Sequence, residues 1–393
     1  MRNAHALLVQ AEPMLTDVKL AGDALGLAPL ALLHAGPPLA DPSRPPPTLA
    51  SSIVITCLLE GWAKDEAEAE QLLRSGRLSL SPAQDSHCVT PLAAVVSQRT
   101  PLLEVRDATG GALAMYAPVS AVRGADTRMG GRDPTLLSRL QRRDGHVAPS
   151  LLRFVQQHGP IALWPLALAG MAGGDDLHNR TSSANDALAL LLRERGAPDG
   201  LADDVAATPL FFLTLWMAAC ALVLRSAEDS DVASVVTRAG GNGEQFGICL
   251  SGKPGQWITC PAEPPRGPFI AKLPPETRLA GAMGDSAVID MLGLGGQRLG
   301  LAPEPLQLLA DHLPVPADSL SARASALLLS PHPRLPAHWP LGLDATAVAA
   351  SSFSPLVMLA MLAEDGWGGF VGRGIYQPPV ELFERALRAG AAE

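Results

Sequence analysis

Large rings are scarce in this chain, with aromatics at 4% of 393 residues, and charged side chains are few at 18%. A core short of rings has to be built from small aliphatic residues. Ala/Leu packing broken by frequent turns is therefore expected, and 37 Gly and 36 Pro supply the turns. Positive charge is also in deficit, with a formal net charge of −9. No basic stripe exists to displace condensed counterions, so no nucleic-acid partner is expected. Cys-x-x-Cys spacing is absent, and Cys57, Cys88, Cys220, Cys249 and Cys260 are odd in number. Neither a disulfide framework nor a metal site is signalled, and the usage suits a reducing cytoplasm. A charged-then-apolar leader is missing as well: Met1-Arg2-Asn3-Ala4-His5 opens an acidic amphipathic stretch. Cytoplasmic localisation is the expectation.

Gly293-Leu294-Gly295-Gly296-Gln297-Arg298 ends in Arg where a dinucleotide fingerprint requires Gly, and it lacks the Lys-Ser/Thr pair of a phosphate-binding loop. No cofactor is expected. A long uncharged run does occur over residues 205–224, enough to cross a bilayer. Thr208-Pro209 starts a helix inside it, however, and Asp203, Asp204 and Arg225 crowd its ends. The run is read as a buried core helix, with no membrane partner.

Periodicity then divides the chain. Apolar spacing predicts an amphipathic helix over 3–20, a strand over 30–33 ending at His34-Ala35-Gly36, and helices over 48–62 and 65–75. Strands at 101–106 and 112–116 form a hairpin. Residues 134–228 read as successive helices, the first beginning at Pro134. Strand signals return from Asp231, with a Gly240-Gly241-Asn242-Gly243 turn that serves either a hairpin or an anion-binding nest. The expectation is a multidomain α/β (mixed α+β) chain: an N-terminal α/β domain over 1–130, an inserted all-helical domain over 131–230 and a C-terminal α/β domain over 231–393. His87 and Cys88 are neighbours, and adjacent strand residues point to opposite faces, which argues against a nucleophile pair.

The densest polar stretch is Gly174-Asp175-Asp176-Leu177-His178-Asn179-Arg180. Arg can grip a carboxylate or phosphate through two parallel hydrogen bonds, Asn offers both a donor and an acceptor, and His trades protons near neutral pH. The set suits a small anionic, amide-like ligand. It equally suits a loop in which Asp175 and Asp176 cap the next helix and Arg180 pairs with one of them.

Further short pieces occur in order: His34-Ala35-Gly36-Pro37-Pro38; Asp85 with Val89 and Pro91; the stretch 174–180; Pro209-Leu210-Phe211-Phe212-Leu213; Asn242 with Phe246-Gly247-Ile248 and Ser251-Gly252; Gly284-Asp285-Ser286-Ala287 with Gly293-Leu294-Gly295-Gly296; and Gly372-Arg373-Gly374-Ile375. In these pieces and their order the chain resembles a bacterial family of largely unknown function that includes a large subunit of oxamate carbamoyltransferase, an enzyme of allantoin degradation.

The resemblance implies a transferase subunit of a complex in which an N-carbamoyl acid such as oxalurate passes its carbamoyl group to phosphate. It also implies partner subunits, one of them a succinyl-CoA-synthetase-like chain, in a homo- or hetero-oligomer. Carried onto this sequence, it makes His178, Asn179 and Arg180 the catalytic candidates. Arg180 would clamp an anion, Asn179 or the backbone at Asn242-Gly243 would polarise the carbonyl, and His178 would carry the proton. Asp285 would accept from the amide, and His34, Gly36, Asp85, Asp176, Asn242, Gly243, Ser251, Gly284, Ser286 and Gly372 would complete the substrate site. A non-catalytic anion-binding or scaffold subunit is the alternative. Gln84-Asp85-Ser86, Tyr116-Ala117-Pro118 and Leu341-Gly342-Leu343-Asp344 depart from the family pattern, which points to a different substrate or lost activity.

Overall fold

Pro13 decides the start of the chain. The first helix, Ala4–Gln10, stops before it, because the residue preceding a proline is driven out of the helical region. Pro13–Leu20 then runs as a strand where a continuous helix over 3–20 was expected. A register shift between Leu15 and Asp17 lets Leu15 and Val18 both face inward, which imitates helical spacing in the sequence. The computed structural model describes residues 3–120, 126–133, 135–198 and 200–391.

The architecture is mixed α+β. Ala114–Pro118, Pro101–Asp107, Pro13–Leu20 and Ile161–Ala162 form one antiparallel sheet in that order; Met283–Gly284, Val236–Asn242, Gln245–Leu250 and Ile258–Pro261 form a second. Two hairpin ladders, Leu328–Pro331 with Pro340–Leu343 and Val357–Leu362 with Phe370–Tyr376, are also antiparallel. Ala31–His34 pairs in parallel with Ser79–Pro82.

Gly240 and Gly241 lie within the strand Val236–Asn242, not in a turn. The cause is close approach: a Cβ on Gly241 would sit 2.1 Å from the carbonyl oxygen of Ala282, the residue before the neighbouring strand Met283–Gly284. The turn itself is confined to residues 243 and 244.

Between the two sheets in sequence the chain is helical, with Leu136–Arg142, Ala148–His158, Trp164–Ala172, Ser182–Glu194, Leu201–Ala206 and Phe211–Ser226. The expected start at Pro134 lies outside the described residues. The helical run is not isolated. Its strand Ile161–Ala162 joins the first sheet, and the central helix Phe211–Ser226 packs on strands of both sheets and on the helix Ala287–Leu292. Every residue from Phe211 to Arg225 is buried. Trp216 meets Trp164 edge-on with ring centroids 5.2 Å apart and stacks on Phe212 at 5.8 Å. One hydrophobic cluster extends through segments 1–130, 131–230 and 231–393. Among the described residues no helix is long and apolar enough to cross a membrane.

Candidate functional site

Asp176 shapes the polar loop. Its buried carboxylate accepts from the backbone N–H groups of His178 at 3.2 Å, Asn179 at 3.2 Å and Arg180 at 2.8 Å. Drawing three successive amides onto one side chain folds the loop tightly, with Leu177 at φ 72°. His178 and Asn179 are turned inward as a result. Asp175 works on the other side of the loop. It accepts from the amides of Ala184 at 2.8 Å and Ser183 at 3.3 Å, so it caps the helix Ser182–Glu194.

Arg180 belongs to that cap. Its guanidinium is held by Asp175, by Glu304 at 2.8 Å, by the Gly173 carbonyl at 3.0 Å and by Ser183 Oγ at 3.0 Å. It faces outward and does not line the cavity described below. The anion clamp expected of Arg180 is therefore not what its geometry offers, because protein oxygens already hold its Nε and Nη1 and the side chain lies outside the cavity lining.

His178 is anchored from behind. Its Nδ1 lies 2.8 Å from Asp290 Oδ2, and Asp290 is fully buried, its other oxygen accepting from the Gly296 amide at 2.8 Å. Burial pushes the Asp290 carboxyl above its ordinary value, and the neighbouring imidazole opposes that rise. An ionised Asp290 can only accept, which assigns the shared hydrogen to Nδ1, and His178 lines the cavity.

The glycine run 293–296 makes room for this pair. Gly295 has φ +52°, and a Cβ there would lie 2.5 Å from Asp290 Oδ1 and 2.7 Å from His178 Cβ. Gly295→Ala is expected to leave circular dichroism near the wild-type spectrum while displacing the imidazole. A displacement near 1 Å costs on the order of 100-fold in any step that the imidazole serves, read by steady-state kinetics of variant and wild type.

His178 and Asn179 open onto a cavity of about 260 Å³, at the small end of small-molecule sites. Its polar lining is completed by Arg128, Ser286 and Arg373. The Asn179 amide nitrogen is buried and has no protein partner, which leaves a donor for a ligand. Arg128 is 3% exposed and fixed by Asp126 at 2.9 Å, Thr214 Oγ1 at 3.1 Å and Ser120 Oγ at 2.9 Å. Arg373 Nη1 donates to the Asn179 carbonyl at 2.8 Å. Pro209, Leu210 and Leu213 bring the N-terminal end of the central helix to the same cavity, where the helix dipole favours negative charge.

Of the other expected site residues, Ser286 lines the cavity, and Gly284 packs behind it with φ +118° against Leu92. Asp285 stands in the layer behind. Its carboxylate accepts from the Gly36 amide at 2.8 Å, Gln84 Nε2 at 2.7 Å, the Thr90 amide at 2.8 Å and the Thr90 hydroxyl at 3.3 Å. Burial pushes its pKa up to about 7. The role of accepting from a substrate amide is thus filled by the protein itself, and Gly36 serves as one of its donors.

The remaining expected residues sit away from the cavity. His34 is buried, bonded through Nδ1 to the Ala35 carbonyl at 2.8 Å, and burial lowers its pKa. Asp85 pairs with Arg238 at 2.5 Å and accepts from Trp257 at 3.2 Å. Asn242 donates to the Pro37 carbonyl at 2.9 Å and closes the 243–244 turn by accepting from the Glu244 and Gln245 amides. Gly243 borders a separate surface cavity beside Arg44 and Pro46. Ser251 donates to the Val232 carbonyl at 2.6 Å. Gly372 packs under Pro268, one residue from Arg373. Cys88 is fully buried and burial raises its pKa, so it is no nucleophile.

Three residues at or behind the cavity escaped sequence reasoning: Arg128, Asp290 and Arg373. Asp290 did leave a signal, being one carboxylate inside the apolar helix Ala287–Leu292 just before the glycines.

Residues 78–286, more than half of the chain, match the family model described as oxamate carbamoyltransferase subunit AllG. The chain belongs to this family. The matched span contains Arg128, His178, Asn179 and Ser286; Asp290 and Arg373 lie beyond it. The chain is 29% identical to AllG of Escherichia coli K12, covering 91% of this chain and 88% of AllG. It is also 29% identical to the uncharacterized protein YahG of the same organism, covering 98% of this chain and 84% of YahG. The fold is shared with a conserved protein of unknown function from Enterococcus faecalis V583, whose crystal structure matches with a TM-score of 0.90 at 24% identity over 99% of this chain and 96% of that one.

Proposed function

We propose that this chain is a carbamoyltransferase subunit whose cavity at His178 receives a small N-carbamoyl acid and phosphate. The observation that carries the reading is the Asp290–His178 pair, with His178 lining the cavity beside the unpartnered amide of Asn179. In the step we assign, an oxygen of hydrogen phosphate attacks the carbamoyl carbon. The carbonyl oxygen becomes negative and takes the Asn179 hydrogen bond, a preorganised donor in a largely apolar site. The bond from the carbamoyl carbon to the acid's nitrogen then breaks. His178 Nε2 takes the phosphate proton and delivers it to that nitrogen, which yields carbamoyl phosphate and the free amine or amide. Arg128, Arg373 and the N-terminus of the central helix balance the anionic charge.

Partner subunits follow from the AllG relationship, and we place a succinyl-CoA-synthetase-like chain among them. Among the described residues every cysteine is free and buried, which supports a reducing compartment, the cytoplasm.

The test is to co-purify the chain with its partner subunits and measure carbamoyl phosphate formed from N-carbamoyl acids and phosphate. Arg180→Ala is expected to keep turnover within about twofold. It should still lower stability by about 1.5–3 kcal/mol, because buried Asp175 loses a charge-assisted partner. No turnover on any N-carbamoyl acid would favour a scaffold subunit instead.

A further inference from the structure

The walls of the cavity narrow the substrate class, an inference that rests on the reading above. Leu210, the residue before the central helix, and Leu213 and Met217 within it all border the cavity, spaced at i, i+3 and i+7. The hairpin of Val357–Leu362 and Phe370–Tyr376 supplies Met358, Leu359 and Phe370 to the same cavity. Met129, Leu210 and Phe370 keep surface there, with Met217 fully buried beneath them and Met358 2% exposed. Thioethers adapt to an irregular apolar shape better than branched side chains do.

Against these walls stand five polar side chains: Arg128, His178, Asn179, Ser286 and Arg373. Five serve one carbamoyl group, one carboxylate and the attacking phosphate, the two arginines taking one anion each, and none remains for a further polar arm. A planar ligand that is polar along its whole length would have to press carbonyl oxygens onto Leu210, Leu213 and Phe370, losing water without gaining a partner.

We infer that the substrate of this chain is an N-carbamoyl α-amino acid bearing an aliphatic or thioether side chain. The carbamoyl group and carboxylate lie against the polar residues, and the apolar side chain lies between the helix face and the hairpin. The chemistry of the transfer is unchanged, since the same carbon–nitrogen bond breaks and the same nitrogen receives the proton.

The test is calorimetric titration of the full chain, with the subunits that co-purify with it, against N-carbamoylleucine, N-carbamoylglycine and oxalurate. Burial of most of a four-carbon side chain predicts that the leucine compound binds on the order of 30- to 200-fold tighter than the glycine compound, and tighter than oxalurate. Leu213→Ala should reduce the leucine-to-glycine ratio by roughly tenfold, with thermal melting reporting whether the variant is folded. If oxalurate or N-carbamoylglycine binds as tightly as the leucine compound, the substrate class is wrong and the site reading survives. If none of the three binds, the site reading falls and takes this inference with it.

Discussion

Asp285→Ala is expected to destabilise the protein by about 3–5 kcal/mol near pH 5, with a gap to wild type that narrows as pH rises. The substitution strips the acceptor from the amides of Gly36 and Thr90 and from the side chain of Gln84, all buried. Those donors come from three separate segments, so one carboxylate ties together the turn after the strand Ala31–His34, the turn at 83–86 and the wall of the cavity at 90–92. The pH dependence follows from the direction of the shift. Burial raises the folded-state pKa from 3.8 to about 7. A raised value means that the folded state holds its proton longer than the unfolded state does. The stability from this group is full below about pH 4 and is lost as pH climbs through 7, by up to roughly 4 kcal/mol. Urea melts of both proteins near pH 5 and pH 8 measure this. A gap independent of pH would contradict a buried, proton-holding Asp285.

His178→Gln is expected to reduce turnover by roughly 10²–10⁴-fold with little change in KM. Glutamine keeps a polar side chain in the cavity but cannot relay a proton. Asp290→Asn should lose a similar factor by a different route. An amide can donate to Nδ1, which moves the imidazole hydrogen to Nε2 and leaves the cavity facing a donor where an acceptor is required. A KM-driven loss in either variant would assign the pair to substrate binding and remove it from proton transfer.

How much of this was legible in the sequence depends on whether the signal was local. The loop 174–180 announced itself because five polar side chains of four chemistries stand together in an Ala/Leu-rich chain, and His178 and Asn179 do reach the cavity. Arg180 looked like their equal. Its partners Asp175 and Ser183 are close in sequence, but Glu304 arrives from far along the chain, and the cap those groups build draws the guanidinium outward. Asp285 was visible as a carboxylate at a helix start. Its donors at positions 36, 84 and 90 could not be read without the fold. Pro13 should have ended the helical reading of residues 3–20. Its signal was outweighed by Leu15 and Val18, which keep helical spacing only because the strand shifts register between them. Gly240 and Gly241 looked like turn residues because close backbone packing and turn conformation call for the same residue type. Arg128 carried no local cue, and Arg373 stands in the piece 372–375, of which only Gly372 is an expected site residue. They matter only because the fold sets them beside Asn179 and the N-terminus of the central helix.

The most direct measurement is a crystal structure of the chain with an N-carbamoyl acid and phosphate bound. The ligand is predicted between the central helix and the hairpin, with its carbamoyl oxygen roughly 3 Å from Asn179 Nδ2 and its nitrogen on the side of His178 Nε2. Ligand density elsewhere, with this cavity filled by water alone, would contradict the account.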